Sequence, residues 1–300
     1  MTAVALMEVV RAHASTLASA GVEHPEVDAL TLARHALDAD AATVRTATTA
    51  DVDDRRLRQL ADLVAVRATR VPLQHLTATT GFRDLDITCR AGVFIPRPET
   101  EILAGLAIEA ARRAASDGGR ATVVEPCTGT GAVALAVATE VHAADVVATD
   151  RCARAVALAR HNLARVERGV HGAGSTCRVV HGDLFDPVPA DLRGTVDVVV
   201  CNPPYLTPGE VAQATPEVRG HEPRDALVAG AGGNAVVHRL LDEAAAWLRP
   251  GGDLLVELAE TRAGAVAAAA RRSGYTDVHV VADLTGRDRV LTARRPQDRS

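Results

Sequence analysis

From Glu99 onward, short apolar runs alternate with helix-like segments, and most runs close on a polar or glycine-containing turn. Strand-like runs are read at 121–125, 145–149, 178–180, 196–200, 253–258 and 278–281, with 290–293 as a last strand. Helix-like segments lie between most of them, notably at 131–139, 153–168 and 234–248. Alternation of this kind predicts an α/β fold with a mostly parallel sheet and helices on both faces. Ligands in such sheets bind beyond the carboxyl ends of the strands. The distinctive motifs of this chain fall there.

Residues 1–78 follow a different pattern and read as a small helical bundle. Pro25 suits a first helical position, Val27, Leu30 and Leu37 recur at roughly helical spacing, and Asp51 or Asp53 can cap a helix carrying Leu57, Leu60, Leu63 and Val64. Phe82, Leu85, Ile87 and Cys89 then alternate, and Val93-Phe94-Ile95 follows Ala91-Gly92. This predicts a β-hairpin linker over 79–98, ahead of an α/β domain over 99–297. The bundle is either a cap on the second domain or a surface that recognises a macromolecule. Ala173-Gly174-Ser175 and 229–233 read as mobile loops, Pro250-Gly251-Gly252 as a turn, and 295–300 as a frayed tail.

Composition excludes several chemistries. The chain of 300 residues contains no lysine, so all 33 basic side chains are arginine. Walker-type phosphate loops, lysine Schiff bases and lysine general bases are thereby removed. The formal charge of −5 and the small aromatic inventory argue against a nucleic-acid surface. Cys89, Cys127, Cys152, Cys177 and Cys201 are dispersed without CxxC spacing, and the 11 histidines show no ligand pattern, so neither a metal site nor a disulfide framework is expected. No basic leader opens the chain and no apolar run approaches membrane-spanning length, which points to a reduced, cytoplasmic protein without a membrane partner.

Four strand ends carry the candidate site. Glu125-Pro-Cys127-Thr128-Gly129-Thr130-Gly131 ends the first strand of the sheet and opens a helix. Its glycines let backbone approach a ligand, and the helix start offers free N–H donors. Such a strand, turn and helix could also serve a dinucleotide, or be a plain tight turn, and the full GxGxxG spacing is absent. Asp150 ends the next strand, where a carboxylate can accept from both hydroxyls of a ribose or cap the following helix. Asp183 and Leu184 follow the third strand. They offer an acceptor for an adenine amino group and an apolar cover for the ring, with Phe185 beside them, or else an acidic turn and two core side chains.

Asn202-Pro203-Pro204-Tyr205 follows the run Val196–Cys201. Two prolines make a stiff turn whose carbonyls are free to accept, Asn202 adds a side-chain acceptor, and Tyr205 adds a flat ring. Such a turn suits a planar NH2 group presented for alkylation. Glycine loop, ribose acid, adenine-edge acid and Asn-Pro-Pro-Tyr turn occur in an order that resembles S-adenosylmethionine-dependent N-methyltransferases.

Further motifs narrow the resemblance. Arg70-Val-Pro-Leu-Gln-His-Leu-Thr77, Gly92-Val-Phe-Ile-Pro-Arg-Pro-Glu-Thr100, Glu217-Val-Arg-Gly-His-Glu-Pro-Arg-Asp-Ala-Leu227 and Asp283-Leu-Thr-Gly-Arg-Asp-Arg-Val290 together resemble the HemK/PrmC family of protein-glutamine N5-methyltransferases. The resemblance implies a class I S-adenosylmethionine-dependent methyltransferase fold, Rossmann-like with a seven-stranded sheet, behind an N-terminal helical bundle. It implies S-adenosyl-L-methionine as cofactor and a peptide chain release factor as protein substrate, methylated on the glutamine of a Gly-Gly-Gln motif. A nucleic-acid amino-methyltransferase, and a relative with another protein substrate or decayed activity, are the alternatives.

Residue by residue, the resemblance makes Cys127, Thr128, Gly129, Thr130 and Gly131 the methionine-side loop of the cofactor site. Asp150 becomes the ribose ligand, Asp183 and Leu184 the adenine side, and Asn202 a contact to both cofactor and substrate. Asn202, Pro203 and Tyr205 become catalytic, with Pro204 completing the substrate-binding turn. Arg97 and Glu99 read as ion-pair bracing of the interdomain segment, and Glu222 and Arg224 as residues ordering the loop beyond the turn. Two departures stand out: Cys127 where the family often has glycine, and Ala259-Glu260-Thr261 in place of a His-Gly-like turn.

Overall fold

The computed structural model describes residues 4–116, 118–169 and 174–298. Ala173 of the expected loop, positions 1–3 and the last two residues of the expected tail lie outside them. The chain divides into two compact units, one of Met1–Thr79 with Thr215–His221, the other of Thr80–Ala214 with Glu222–Ser300.

The first unit is helical: α1 (Leu6–Ser19), α2 (Pro25–Leu37), α3 (Ala41–Thr46), α4 (Asp54–Ala68) and α5 (Leu73–Thr77). Asp53 caps α4 by accepting from Arg55 N, and Pro25 takes the first position of α2. Leu6, Leu17, Leu32, Val44, Leu60 and Val64 form its core. The segment Thr215–His221, which lies in sequence between parts of the second unit, belongs to this bundle. Its Glu217 receives Arg67 Nη1 at 2.8 Å and Arg70 Nε and Nη2 at 2.7 Å, while Arg67 Nε also holds Asp28 at 2.7 Å. Burial opposes a charge on Glu217, but the bonds from Arg70 and Arg67 prevail and bring its pKa down to about 2.

A short hairpin of β1 (Thr79–Phe82) and β2 (Leu85–Thr88) follows. The reversal falls at Arg83, φ 52°, so the hairpin ends well before residue 98. Val93-Phe94-Ile95 forms no strand; Pro96 and Pro98 just beyond it lack the N–H donors a ladder needs.

The second unit then alternates α6 (Thr100–Ala114), β3 (Ala121–Pro126), α7 (Ala132–Glu140), β4 (Ala144–Asp150), α8 (Ala153–Gly169), β5 (Thr176–His181) and β6 (Val196–Cys201). Three short helices, α9 (Pro208–Gln213), α10 (Pro216–His221, in the bundle) and α11 (Arg224–Leu227), lead to α12 (Ala235–Trp247), β7 (Leu248–Glu257), α13 (Ala263–Arg272), β8 (Thr276–Ala282) and β9 (Asp288–Arg294). The sheet has seven strands in the order β5-β4-β3-β6-β7-β9-β8. The strands from β3 to β7 pair in parallel, while β9 runs antiparallel to both β7 and β8.

Burial on both faces explains the continuous apolar runs. Val198 and Val200 of β6 enter one core with α6 and α7, whereas Val199 and Cys201 enter the other with α12 and α13. The order reverses between β3 and β6, so chain leaving β3 turns toward one face and chain leaving β6 toward the other. In sheets of this kind such a reversal marks the ligand crevice, outside the carboxyl ends of the strands. Pro250-Gly251-Gly252 lies within the assigned span of β7, where the β6–β7 register slips between Val196 and Val198.

Candidate active site

The loop after β3 is built on left-handed backbone. Cys127, Gly129 and Gly131 have φ of 60°, 57° and 84°. That conformation explains why glycine suits position 127. The Cys127 side chain packs among the core residues beside β6 rather than standing free in the loop. A Cβ on Gly129 would meet nothing within 4 Å, so backbone is bare there, while one on Gly131 would press on Ala159 Cβ at 3.2 Å. Gly129 thus leaves room for a ligand, and Gly131 lets α7 pack on α8.

Two carboxylates hold this loop. Glu125 Oε2 accepts from Thr128 Oγ1 at 2.6 Å and from Ala134 N at 2.9 Å; burial pushes its pKa up to about 8. Asp150 Oδ2 accepts from Gly129 N at 2.9 Å, and Oδ1 from Cys152 N at 2.8 Å. The second bond makes Asp150 a cap-like brace before α8, yet each oxygen keeps acceptor capacity for a pair of hydroxyls. Burial raises its pKa too, against the two backbone donors.

At the end of β5, Leu184 is buried with φ 41° and its carbonyl accepts from Thr149 Oγ1 at 2.6 Å. Phe185 stacks on Trp247 inside the second core, with ring centroids 5.8 Å apart. Asp183 reaches Arg239 Nη1 at 2.8 Å on a surface flank of the site. An adenine amino group would share Asp183 with that guanidinium.

Asn202 and Tyr205 leave β6 half-buried, with Pro203 and Pro204 buried between them. Leu206 pairs with the Val228 region through Leu206 N to Leu227 O at 2.9 Å and Ala229 N to Leu206 O at 3.0 Å, which anchors the far end of the turn. Asn202 Nδ2 donates to Thr100 Oγ1 at 3.3 Å, Thr100 Oγ1 donates to Glu257 Oε2 at 2.7 Å, and Tyr205 Oη donates to Glu257 Oε1 at 3.3 Å. Burial first, then Glu257, raises the Tyr205 phenol, so it stays protonated.

Sequence reasoning passed over Glu257. A carboxylate closing an apolar strand was the available signal, the same one that singles out Asp150. Thr100 stands in a quoted motif without any bonding role assigned to it there. Arg97 pairs with Glu222 and lies over the Phe94 ring at 5.0 Å, and Glu99 faces Arg287 at 3.4 Å. Both ion pairs therefore tie parts of the α/β unit together. Arg262, just past the departing 259–261 turn, bonds Glu210 Oε2 at 2.6 Å, and Glu210 forms the capping box of α9 with Thr207. Among the described residues no cluster of metal-ligating side chains occurs, and no helix is long and apolar enough to cross a membrane.

Residues 8–77 match the family model of the PrmC N-terminal domain, and residues 108–218 that of the methyltransferase small domain. The release factor glutamine methyltransferase of Mycolicibacterium smegmatis is 41% identical over 292 residues, covering 97% of this chain and 98% of that protein. Its counterpart from Deinococcus radiodurans is 40% identical over 279 residues, covering 93% and 94%. The crystal structure of a methyltransferase from Pyrococcus furiosus shares the fold at a TM-score of 0.50 and 22% identity, over 71% of this chain and 90% of that one. The sheet is thus that of a class I S-adenosylmethionine-dependent methyltransferase. With both halves matched and relatives aligned almost end to end, the chain belongs to the release factor glutamine methyltransferase family.

Proposed function

We propose that this protein transfers a methyl group from S-adenosyl-L-methionine to the side-chain amide nitrogen of the glutamine in the Gly-Gly-Gln motif of a peptide chain release factor. One observation carries the reading: the Asn202–Tyr205 turn stands at the end of β6, across the strand-order reversal from the Gly129–Asp150 contact, in a chain alignable over nearly its whole length with proteins of that name.

The residues present fit the cofactor. Bare backbone at Gly129, the start of α7 and the spare acceptors of Asp150 suit a nucleoside carrying two vicinal hydroxyls. Cys127, Thr128, Thr130 and Gly131 complete the loop, with Asp183 and Leu184 on the adenine side. When bound, S-adenosylmethionine supplies a sulfonium methyl group, an electrophile that needs no further activation.

The chain's own work is on the amide. Its nitrogen is a poor nucleophile because the lone pair is delocalised, and no ordinary side-chain base removes its proton beforehand. Asn202 Oδ1 and the Pro203 carbonyl accept its two N–H bonds and favour the charge that develops as the new N–C bond forms. Pro204 keeps the turn stiff, and Tyr205 packs against the amide plane. Alignment of this kind contributes on the order of 7–11 kcal/mol in favourable systems. The proton leaves to solvent once the methylated nitrogen is acidic enough to lose it.

The helical unit, with its 8–77 match to the PrmC N-terminal domain, is the part we assign to holding the release factor. Residues 1–78 as recognition domain, 79–98 as linker and 99–297 as methyltransferase domain remain the division that suits this role. No membrane or direct nucleic-acid partner belongs to the reading, and a cytoplasmic location follows from a substrate that works in translation. Incubation with methyl-labelled S-adenosylmethionine and either release factor or RNA tests it. Label on the Gly-Gly-Gln peptide, located by mass spectrometry, is expected; label in RNA instead defeats the proposal.

A further inference from the structure

The geometry points to Thr100 and Glu257 as positioning residues that fix which end of the Asn202 amide faces the substrate. The inference rests on the reading above, in which Asn202 Oδ1 accepts from the glutamine amide.

An asparagine amide has a donor end and an acceptor end of nearly the same shape, so packing alone hardly distinguishes the two orientations. Only the acceptor end can grip an N–H of the substrate; the reversed amide would set NH2 against NH2. Something must therefore break the degeneracy, and the neighbour of Asn202 is a hydroxyl.

A hydroxyl has one hydrogen to give. Thr100 gives it to Glu257 Oε2 at 2.7 Å, inside a pocket where both residues are almost fully buried, at 3% and 1% exposure. Toward Asn202 the hydroxyl has only lone pairs left, and it accepts from Nδ2 at 3.3 Å. Turning the amide over would press Oδ1 on an oxygen without a hydrogen to give, two acceptors face to face beside the buried Thr100. Oδ1 is thereby directed away from Thr100.

Glu257, ionised, sets the direction of the chain, because a carboxylate only accepts. Its other oxygen takes the Tyr205 hydroxyl, so both oxygens meet donors and neither needs a proton of its own. Burial raises the Glu257 carboxyl above its ordinary range; the bond from Thr100, then Arg289 and the bond from Tyr205, act against that rise and favour the ionised form the relay uses, while Glu99 adds to it. Arg289 is itself held by Asp283 Oδ2 at 3.2 Å, within the turn of the motif 283–290. Two residues of the catalytic turn, Asn202 and Tyr205, are thus oriented through one buried carboxylate.

Thr100→Val keeps the shape and removes the hydroxyl. With wild-type protein methylating a release factor, the variant is expected to lose about 10- to 100-fold in kcat, the scale of a misplaced reacting group. The KM for the cofactor and its binding measured by calorimetry should stay unchanged, and Thr100→Ser should recover most of the rate. Glu257→Gln provides the second arm should the valine variant fold poorly. Its amide can donate toward Thr100 and free that hydroxyl to donate to Asn202, so kcat should fall there too with cofactor binding intact. Wild-type kcat in Thr100→Val, a serine variant as slow as the valine one, or wild-type kcat in Glu257→Gln would overturn the inference. Wild-type protein that binds cofactor but labels no release factor would overturn the substrate reading and the relay built on it, and is told apart by occurring without any substitution.

Discussion

Gly129 donates its backbone N–H to Asp150 Oδ2 at 2.9 Å, so the loop after β3 and the carboxylate ending β4 hold each other in place. Removing that carboxylate costs the loop its brace and, on the proposed reading, the ribose its acceptor. Asp150→Ala is expected to weaken S-adenosylmethionine binding about 10- to 100-fold, since hydrogen bonds to charged groups are each worth ~1.5–3 kcal/mol. Titration calorimetry measures it. An unchanged dissociation constant would remove Asp150 from the cofactor site.

Asn202→Ala separates chemistry from cofactor binding. Loss of one acceptor aimed at developing charge lowers kcat by about 10²–10³-fold, by analogy with single oxyanion-hole deletions. Cofactor affinity should fall far less than in Asp150→Ala, because the bonds holding the glycine loop do not involve Asn202. Equal loss of affinity in the two variants would contradict the division of roles.

Glu125 gives the α/β unit a distinctive pH response. Its folded-state pKa, raised to about 8 by burial, lies above the ordinary value of 4.5. Between those values the folded protein keeps a proton that the unfolded chain has released, so stability falls as pH rises from about 4.5 through about 8. Asp150, Glu222 and Glu257 are shifted in the same direction by burial. Glu125→Gln keeps an acceptor for Thr128 and Ala134 and cannot ionise. Urea unfolding across that window should show a shallower decline in the variant and greater stability than wild type at its alkaline end. Parallel curves would mean that Glu125 is charged throughout.

Glu217 acts at the opposite end of the scale. Its pKa, held at about 2 by Arg70 and Arg67 despite burial, makes a contribution present above the ordinary value of 4.5 and lost as pH falls toward 2. Glu217→Gln should destabilise the helical unit at neutral pH by about 1.5–3 kcal/mol, the worth of a hydrogen bond to a charged group. Acid unfolding followed by circular dichroism should then show a smaller loss between pH 4.5 and 2 than in wild type. A variant as stable as wild type at neutral pH would deny the cluster a structural role.

The strands were legible because burial on both faces leaves a mark in the sequence: Val196 to Cys201 can hardly be anything but a central strand. Strand ends were legible for a related reason, since Asp150 is a carboxylate set against an apolar run. Contacts across the chain were not. Thr100 and Glu257 meet only because β7 lies beside β6 and the start of α6 comes to the same sheet end, and strand order leaves no trace in periodicity. Glu217 similarly finds Arg67 and Arg70 in a unit distant in sequence. The early end of the hairpin turns on Arg83 in a left-handed conformation, which neither its side chain nor its neighbours announce.

Gly233 sits behind the catalytic turn and is the place where a single methyl group should be felt there. Its φ of +70° is left-handed, and a Cβ would lie 2.9 Å from the Tyr205 carbonyl oxygen and 3.0 Å from Arg262 Cζ. Neither neighbour yields easily: one is backbone, the other a guanidinium bonded to Glu210. Gly233→Ala therefore pays about 1–2 kcal/mol for the left-handed conformation and must also push the Tyr205 peptide forward. With Tyr205 packing on the amide as proposed, kcat should drop about tenfold or more, on the scale that misplacement of about an ångström costs. Cofactor binding should be nearly unchanged, since the Gly129–Asp150 contact lies on other strands. Steady-state rates with thermal melting of the same preparation decide it: a folded variant with wild-type kcat would show that the position of Tyr205 does not limit the transfer.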